Sequence, residues 1–372
     1  MPPSHPSVTR GRGAIVQGAG PPVPHTRGLT THNTSPSRTL SQPSQTLGDR
    51  WTGVDEPARL VLRSLLDTYG HTACLKDRTV ASPRLEFVFD EVRPIYDGFS
   101  RTVGTGDFDL SELAVVLWLQ IHSRGTPWML LPIGLLNRFH HGSIVHNVDR
   151  GLRSPGDLAG RTVGVRAYTQ TTAVWVRGIL RREFGVDPES VRWITFEDAH
   201  DPGHRDPPNV SRAPKGEHLD SMLLNGELDA AIVARVRPAG PQIRDLIPDA
   251  EGAALAWHAR TGVLPINHML VVRRQVVDAH PWLLGELARL FRACRAQYLE
   301  RLRTAPSVEP DDVFRADLLA HGIDPLPFGV EAVRPALELM IELCVEDGII
   351  AAPVTVDALF DPRVAVFSDV AA

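Results

Sequence analysis

Residues 155–186 read PGDLAGRTVGVRAYTQTTAVWVRGILRREFGV, and this stretch decides the fold class. Thr162–Val165 is typical of a buried strand, and an amphipathic helix follows after a short polar turn. Tyr168, Thr171 and Thr172 place hydroxyl groups at the turn and the first helical residues. Because free N–H groups and the positive end of the helix dipole point out of a helix N-terminus, this junction predicts a binding site for a small carboxylate.

Strand and helix patterns alternate along the rest of the chain. Predicted strands lie at Leu85–Phe89, after Asp107–Leu110, and at Trp128–Gly134, Ser143–Asn147, Asp229–Val233 and Leu264–Val272. Predicted helices lie at Ile95–Val103, Leu113–His122, Asp220–Asn225, Pro281–Leu302 and Val330–Glu346. Such alternation favours parallel sheets with right-handed crossovers. We therefore predict an α/β fold with two mostly parallel sheets flanked by helices and a cleft between two lobes.

The same patterns predict the domain boundaries. Residues 1–50 are rich in Pro, Ser, Thr and Gly, which predicts a disordered tail. We expect the first part of lobe 1 at residues 51–157, lobe 2 at residues 158–262, and a return strand with closing helices of lobe 1 at residues 263–372. The chain would cross between the lobes around Asp157 and Leu264–Asn267, and these crossings are the expected hinges.

Composition excludes several classes of protein. The chain has 372 residues, of which 43% are hydrophobic, and this is enough for two lobes. Its formal net charge of -5 does not indicate the basic surface that binding to nucleic acid or an anionic membrane needs. The sequence has neither an apolar run of about 18 residues nor a secretory-signal pattern. We therefore expect a cytoplasmic protein without nucleic-acid or membrane partners, for which a homo-oligomer stays open.

Three cysteines, Cys74, Cys294 and Cys344, form no CxxC pair. An odd number of cysteines without such a pair argues against a disulfide scaffold. Cys294 and Cys344 lie among apolar residues in helical patterns, so we expect both in the core.

Polar groups follow several predicted strands where a plain core would carry Leu or Val. In open α/β sheets, ligands bind beyond the carboxyl ends of the strands. That rule nominates Ser111–Glu112, Arg138–His141, Tyr168–Thr172 and Ile266–His268. These segments are the candidate walls of the cleft.

Five segments carry a family resemblance. They read NRFHHGSIVHN, GVRAYTQTTAVWVRGILRREFGV, GELDAAIVA, RTGVLPINHMLVVRRQVVDAHPW and LPFGVEAVRPALELM. In order and spacing they resemble the 4,5-dihydroxyphthalate decarboxylase family, over most of the chain from about Tyr69 to Phe360. The resemblance implies a two-lobed fold like that of type 2 periplasmic binding proteins. It also implies removal of CO₂ from a small aromatic carboxylic acid with two ring hydroxyls, a reaction that requires no organic cofactor.

The chain departs from that family at two motifs. The family's FRH reads FHH at residues 139–141, and its YDRT reads YGHT at residues 69–72. Arg binds a carboxylate through a planar fork that His cannot reproduce. We therefore expect a ligand with fewer carboxylates or a different ring.

The strand ends and the resemblance together nominate the site residues. His141 and His268 are the candidate proton donors to the ring carbon, and Glu112 would orient or tune one of them. The predicted substrate-binding residues are Tyr168, Thr171, Thr172, His71, Arg138, His140, Asn267 and Arg177.

Structural roles stay open for several of these side chains. Glu112 could instead cap the helix that begins near Leu113. His268 could be a core histidine, and Arg177 could be an internal ion-pair partner. Of the adjacent His140 and His141, only one would face the cleft from an extended segment, and the resemblance favours His141.

A metal site and a non-catalytic function are the two further possibilities. His200, Asp201, His204, Asp206 and His218 crowd one segment, but they lack the ligand spacing of an HExxH helix or a zinc finger, so no metal site is predicted. The alternative function is a non-catalytic protein of the solute-binding or sensor type, which holds a small organic acid without turning it over.

Overall fold

The computed structural model describes residues 59–233 and 237–368. The predicted tail, residues 1–50, lies outside the described residues. The strands are β1 (Leu60–Leu65), β2 (Leu85–Phe89), β3 (Leu110–Ala114), β4 (Trp128–Asn137), β5 (Ile144–Asn147), β6 (Thr162–Val165), β7 (Arg192–Thr195), β8 (Val210–Arg212), β9 (Ala230–Ile232), β10 (Ile243–Asp245) and β11 (Ile266–Arg273).

The α-helices are α1 (Ala73–Lys76), α2 (Phe99–Val103), α3 (Val115–His122), α4 (Thr171–Phe184), α5 (Leu219–Leu224), α6 (Ala250–Thr261), α7 (Arg274–Ala279), α8 (Leu283–Thr304), α9 (Pro310–Ala320), α10 (Val330–Glu346) and α11 (Val356–Leu359). Short 3-10 helices lie at Ile95–Gly98, His141–Ser143, Val148–Arg150, Pro155–Leu158, Pro188–Ser190 and Pro362–Phe367.

The first sheet has five strands in the order β2-β1-β3-β11-β4. β1 runs parallel to β2 and β3, whereas β11 runs antiparallel to β3 and β4. All five residues of β3 are buried, as expected for a strand with neighbours on both sides and covered faces. β11, the predicted return strand, therefore lies directly beside β3.

The second sheet has six strands in the order β10-β5-β9-β6-β7-β8. The pairs β9–β6, β6–β7 and β7–β8 are parallel, and β5 is antiparallel to both β9 and β10. Among the described residues, five of the nine strand pairings in the two sheets are therefore parallel. The predicted fold class, α/β with two mostly parallel sheets and helices, is confirmed.

One strand lies in a different sheet from the one predicted. We expected the strand Ser143–Asn147, which the structure shows at Ile144–Asn147, in the first lobe, because the first crossing was placed around Asp157. In the structure this strand pairs with β9 and β10 of the second sheet. The partners of a four-residue strand are set by contacts distant in sequence, which local periodicity does not contain. The lobe boundaries themselves stay a prediction.

The expectation that argued against disulfides was wrong, whereas Cys294 lies in the core as expected. A disulfide joins Cys74 in α1 to Cys294 in α8, with 6.1 Å between their Cα atoms. Cys344 is a free, buried thiol, as expected for a core residue. Disulfides persist mainly in oxidising compartments, so this bond does not favour the predicted cytoplasmic location, which stays a prediction.

Helices α4 and α10 meet closely at one glycine. A Cβ atom added at Gly178 would overlap the side chain of Leu343, which is itself buried. Beside it, Arg177 pairs with Asp347 across the same interface, and both side chains are almost fully buried.

Within residues 59–233 and 237–368, no helix combines the length and the apolar character that crossing a bilayer requires.

Gly178→Ala should therefore destabilise the protein, whereas Gly285→Ala should not. Overpacking a filled interface costs about 1–3 kcal/mol of unfolding free energy. The higher helix propensity of alanine compared with glycine offsets only part of that cost. Gly285 also lies in a helix, but nothing stands within 4 Å of an added Cβ, so alanine there should raise the unfolding free energy by up to about 1 kcal/mol. Urea unfolding of both variants checks this, and equal effects would contradict the close helix contact.

Candidate functional site

Glu112 is the centre of a buried hydrogen-bond cluster. It lies in β3 with its side chain fully buried. Its Oε1 accepts from the hydroxyl of Tyr69 at 2.5 Å and lies 2.6 Å from Nδ1 of His268. Its Oε2 accepts from the backbone N–H of Asp67 at 3.0 Å. The alternative role as a helix cap is not observed, because no side chain caps α3, whose N-cap residue is Ala114.

These groups border a cavity of about 1230 Å³. Of the predicted site residues, Arg138, Thr171, Thr172, Asn267 and His268 line it. Glu112 itself lies behind His268 and holds one ring nitrogen. A carboxylate that orients an imidazole at a cavity wall is an arrangement suited to proton transfer.

The N-terminus of α4 opens onto the same cavity. This helix has 14 residues, and no side chain caps it. Thr172 Oγ1 accepts from Asn267 Nδ2 at 3.0 Å. Thr171 is 3% exposed, and no group among the described residues hydrogen-bonds its Oγ1. A helix N-terminus with a buried, unpaired hydroxyl beside it can bind an anionic oxygen.

His140 contacts Asn267 from outside the cavity lining. Its Nε2 lies 2.7 Å from Asn267 Oδ1, and its Nδ1 lies 3.3 Å from Ser143 Oγ. Burial, and then the charge of Arg138, hold the pKa of His140 well below its usual range. A neutral His140 therefore fixes the amide of Asn267 and does not line the cavity.

His141, one of the two candidate proton donors, lies outside the cavity lining. It is 2% exposed, its ring meets the Trp257 ring at 5.7 Å, and it does not line the cavity. Burial, with a smaller contribution from Arg260, lowers its pKa to about 4. The structure thus brings His268, but not His141, together with Glu112. The 3-10 turn His141–Ser143 replaces the extended segment on which the sequence argument relied.

Three predicted substrate contacts also lie outside the cavity lining. The buried ring of His71 stacks on Tyr69, with 5.3 Å between centroids. Burial, and then Arg315, hold the pKa of His71 well below its usual range. The guanidinium of Arg177 lies 3.8 Å above the centre of the Tyr168 ring and pairs with Asp347, so the alternative of an internal ion pair describes Arg177.

Some cavity residues were not predicted. Tyr69, Tyr96, Arg166 and His200 all line the cavity. Tyr69 opens the YGHT motif, which is a usable signal in the sequence, although the predicted contact in that motif was His71. His200 belongs to the histidine-rich segment that was weighed only for metal binding. Within the described residues, no three His, Cys, Asp or Glu side chains are placed to hold a metal ion.

His141→Leu should weaken the loss of stability on acidification. A histidine whose folded pKa is about 4 binds fewer protons than the same group unfolded, near 6.5. The free energy of unfolding therefore falls as pH drops from about 6.5 to about 4. Removing His141 should make that slope shallower by up to about 1.4 kcal/mol per pH unit.

Urea unfolding between pH 4 and 7 measures this slope. His321→Leu, which removes an exposed imidazole, is the control for loss of a histidine. A slope for His141→Leu equal to that of the unmodified chain would contradict the neutral, buried state of His141.

The solved structures similar to this chain include binding proteins. The alkanesulfonate-binding protein SsuA from Xanthomonas axonopodis pv. citri, bound to MOPS, aligns over 82% of this chain and 99% of its own length. The two are 14% identical, with a TM-score of 0.46, and this similarity concerns the fold alone. No family model matches the chain.

Two curated relatives are more similar in sequence. The 4,5-dihydroxyphthalate decarboxylase of Comamonas testosteroni is 31% identical over 270 residues, which cover 63% of this chain and 80% of that protein. The enzyme of the same name from Pseudomonas putida is 32% identical over 194 residues, which cover 46% of this chain and 74% of that protein. The chain therefore belongs to the 4,5-dihydroxyphthalate decarboxylase family.

Proposed function

We propose that the chain is a cofactor-independent decarboxylase of a hydroxylated aromatic carboxylic acid, which binds in the 1230 Å³ cavity. The observation that carries the proposal is the pairing of His268 with the buried Glu112 at the wall of that cavity. Family membership supports the reaction type, and the pairing supports the residues that perform it.

His268 is the proton donor in this proposal. Glu112 pairs with Nδ1 of His268, so Nε2 is the ring nitrogen that can donate a proton to the ligand. Nε2 donates a proton to the ring carbon that bears the carboxylate. The bond between that carbon and the carboxylate then breaks, CO₂ leaves, and the electron pair of the bond restores the aromatic ring.

The carboxylate of the ligand needs a binding site before it leaves. Arg138, Thr171 and the N-terminus of α4 line the cavity and offer a guanidinium, a hydroxyl and helix N–H groups. Leu117, Leu136 and Ile232 give the same cavity an apolar wall for the ring. Release of CO₂ is favoured where the carboxylate is drawn out of water.

His268→Gln should lower the rate of CO₂ release by about 10²- to 10⁴-fold, the usual contribution of a placed proton donor. The measurement is CO₂ release from a panel of hydroxybenzoates and hydroxyphthalates. His122→Gln is the matched control, because His122 is partly buried and outside the cavity. A His268→Gln variant that folds normally and keeps the parent rate would contradict the assignment.

The parent chain also tests the reaction class. Saturable binding of these acids with no CO₂ released from any of them would contradict decarboxylation. That result would favour the alternative, a protein that binds organic acids without turning them over.

Thr171→Val should weaken ligand binding without loss of stability. The hydroxyl has no partner among the described residues, so its removal breaks no bond in the free protein. One hydrogen bond to a charged group is worth about 1.5–3 kcal/mol, so affinity for the carboxylate ligand should fall about 10-fold or more. Calorimetric titration and urea unfolding measure the two effects.

Thr102→Val is the control for this substitution. Thr102 is also buried, but its Oγ1 bonds to Ser111 Oγ at 2.8 Å and to the Gly98 carbonyl at 3.2 Å. Valine should therefore destabilise the protein at position 102 and not at position 171. Unchanged affinity in Thr171→Val would contradict the anion site.

A further inference from the structure

His200 is a second histidine at the wall of the cavity. It lies in the segment after β7 of the second sheet, whereas His268 belongs to β11 of the first sheet. Both side chains line the cavity. The ring of Phe99 meets both imidazoles edge-on, at 5.7 Å from His200 and 5.2 Å from His268. A ligand ring that reaches His268 is therefore also close to His200.

The surroundings of His200 keep its imidazole neutral. Burial lowers its pKa to about 4, and the positive charge of Arg166 contributes further. Its ring neighbours, Tyr96 and Phe99, are aromatic. A neutral imidazole carries one acceptor nitrogen, and within residues 59–233 and 237–368 the ring nitrogens of His200 have no hydrogen-bond partner.

Four other side chains of the cavity are less suited to accept a hydrogen bond from a ring hydroxyl. The hydroxyl of Tyr69 already donates to Glu112. His218 lines the cavity as well, but it is exposed, so water competes for its ring nitrogens. Arg138 and Arg166 carry only donors. Gln170 also lines the cavity, and its buried Oε1 has no partner among the described residues, but the imidazole of His200 shares the Phe99 ring with the proton donor His268.

We propose that His200 is the specificity-determining residue for a ring hydroxyl, which donates a hydrogen bond to its imidazole. This inference rests on the proposed function and names the substrate feature that the second lobe recognises. The carboxylate would bind at the N-terminus of α4, and the hydroxyl at His200. A site built to accept a hydrogen bond discriminates against an analogue that lacks the hydroxyl, because the half-buried imidazole then loses that hydrogen bond.

Calorimetry with matched pairs of ligands tests this assignment. The pairs are 3,4-dihydroxybenzoate with benzoate and 4,5-dihydroxyphthalate with phthalate. In at least one pair, the unmodified chain should bind the hydroxylated acid about 10-fold or more tightly. His200→Leu should reduce that ratio to within about 2-fold, and His200→Gln, which keeps an acceptor oxygen, should retain part of it.

His122→Leu is the matched control. Burial lowers the pKa of His122 too, but this residue lies outside the cavity, so the affinity ratio should equal that of the parent. The ratio is insensitive to a general loss of folded protein, because both ligands of a pair are affected equally.

Two results would overturn the assignment. One is a His200→Leu variant that keeps the parent ratio, and the other is a parent chain that prefers neither hydroxylated acid. Absence of CO₂ release together with the expected change in ratio would instead contradict only the decarboxylase activity. The failure of the inference and the failure of the proposed function are thus distinguishable.

Discussion

The buried carboxylate of Glu112 is the constraint on which the site depends. An uncompensated charge in the interior is expensive, so a carboxylate at this depth must be hydrogen-bonded. β3 lies between β1 and β11, and both flanking segments supply partners: Asp67 and Tyr69 after β1, and His268 from β11. The carboxylate thereby ties three adjacent parts of the first sheet together and fixes the orientation of His268.

β11 contributes side chains both to the first sheet and to the wall beside α4, because successive side chains of a strand point to opposite sides. His268 meets Glu112 within the first sheet, while Asn267 bridges His140 and Thr172. The indole N–H of Trp175 in α4 donates to the carbonyl of Ile266 at 3.1 Å. The start of β11 therefore holds the N-terminus of α4 in place, and the proton donor and the anion site share one rigid support.

The sequence predicted those elements whose periodicity is long or strongly apolar. The strand Thr162–Val165 and the helix Val330–Glu346 have the bounds expected from their patterns. α6 was not predicted, because its alanine-rich sequence carries little amphipathic pattern. β5 was placed in the wrong sheet, since strand pairing is decided by distant partners.

At the candidate site, too, contacts between residues distant in sequence could not be predicted. Glu112 and His268 were both nominated as site residues, but which histidine Glu112 orients could not be read from positions 156 residues apart. His141 and His71 were nominated from their positions in the family motifs, and both lie buried outside the cavity lining. The bond between Cys74 and Cys294 spans 220 residues and has no local signal. Candidate site residues at strand ends can be predicted from the sequence. The contacts that each of these side chains makes can be known only from the folded structure.

The most direct test of the account is a crystal structure with an unreactive analogue, such as 3,4-dihydroxybenzenesulfonate, whose sulfonate mimics the carboxylate and cannot leave as CO₂. The account predicts that the ring carbon bearing the sulfonate lies within about 3.5 Å of Nε2 of His268, the distance of a reactive encounter. It also predicts that the sulfonate contacts Thr171 at the N-terminus of α4. A ring bound elsewhere, or one with His268 turned away from that carbon, would contradict the central claim.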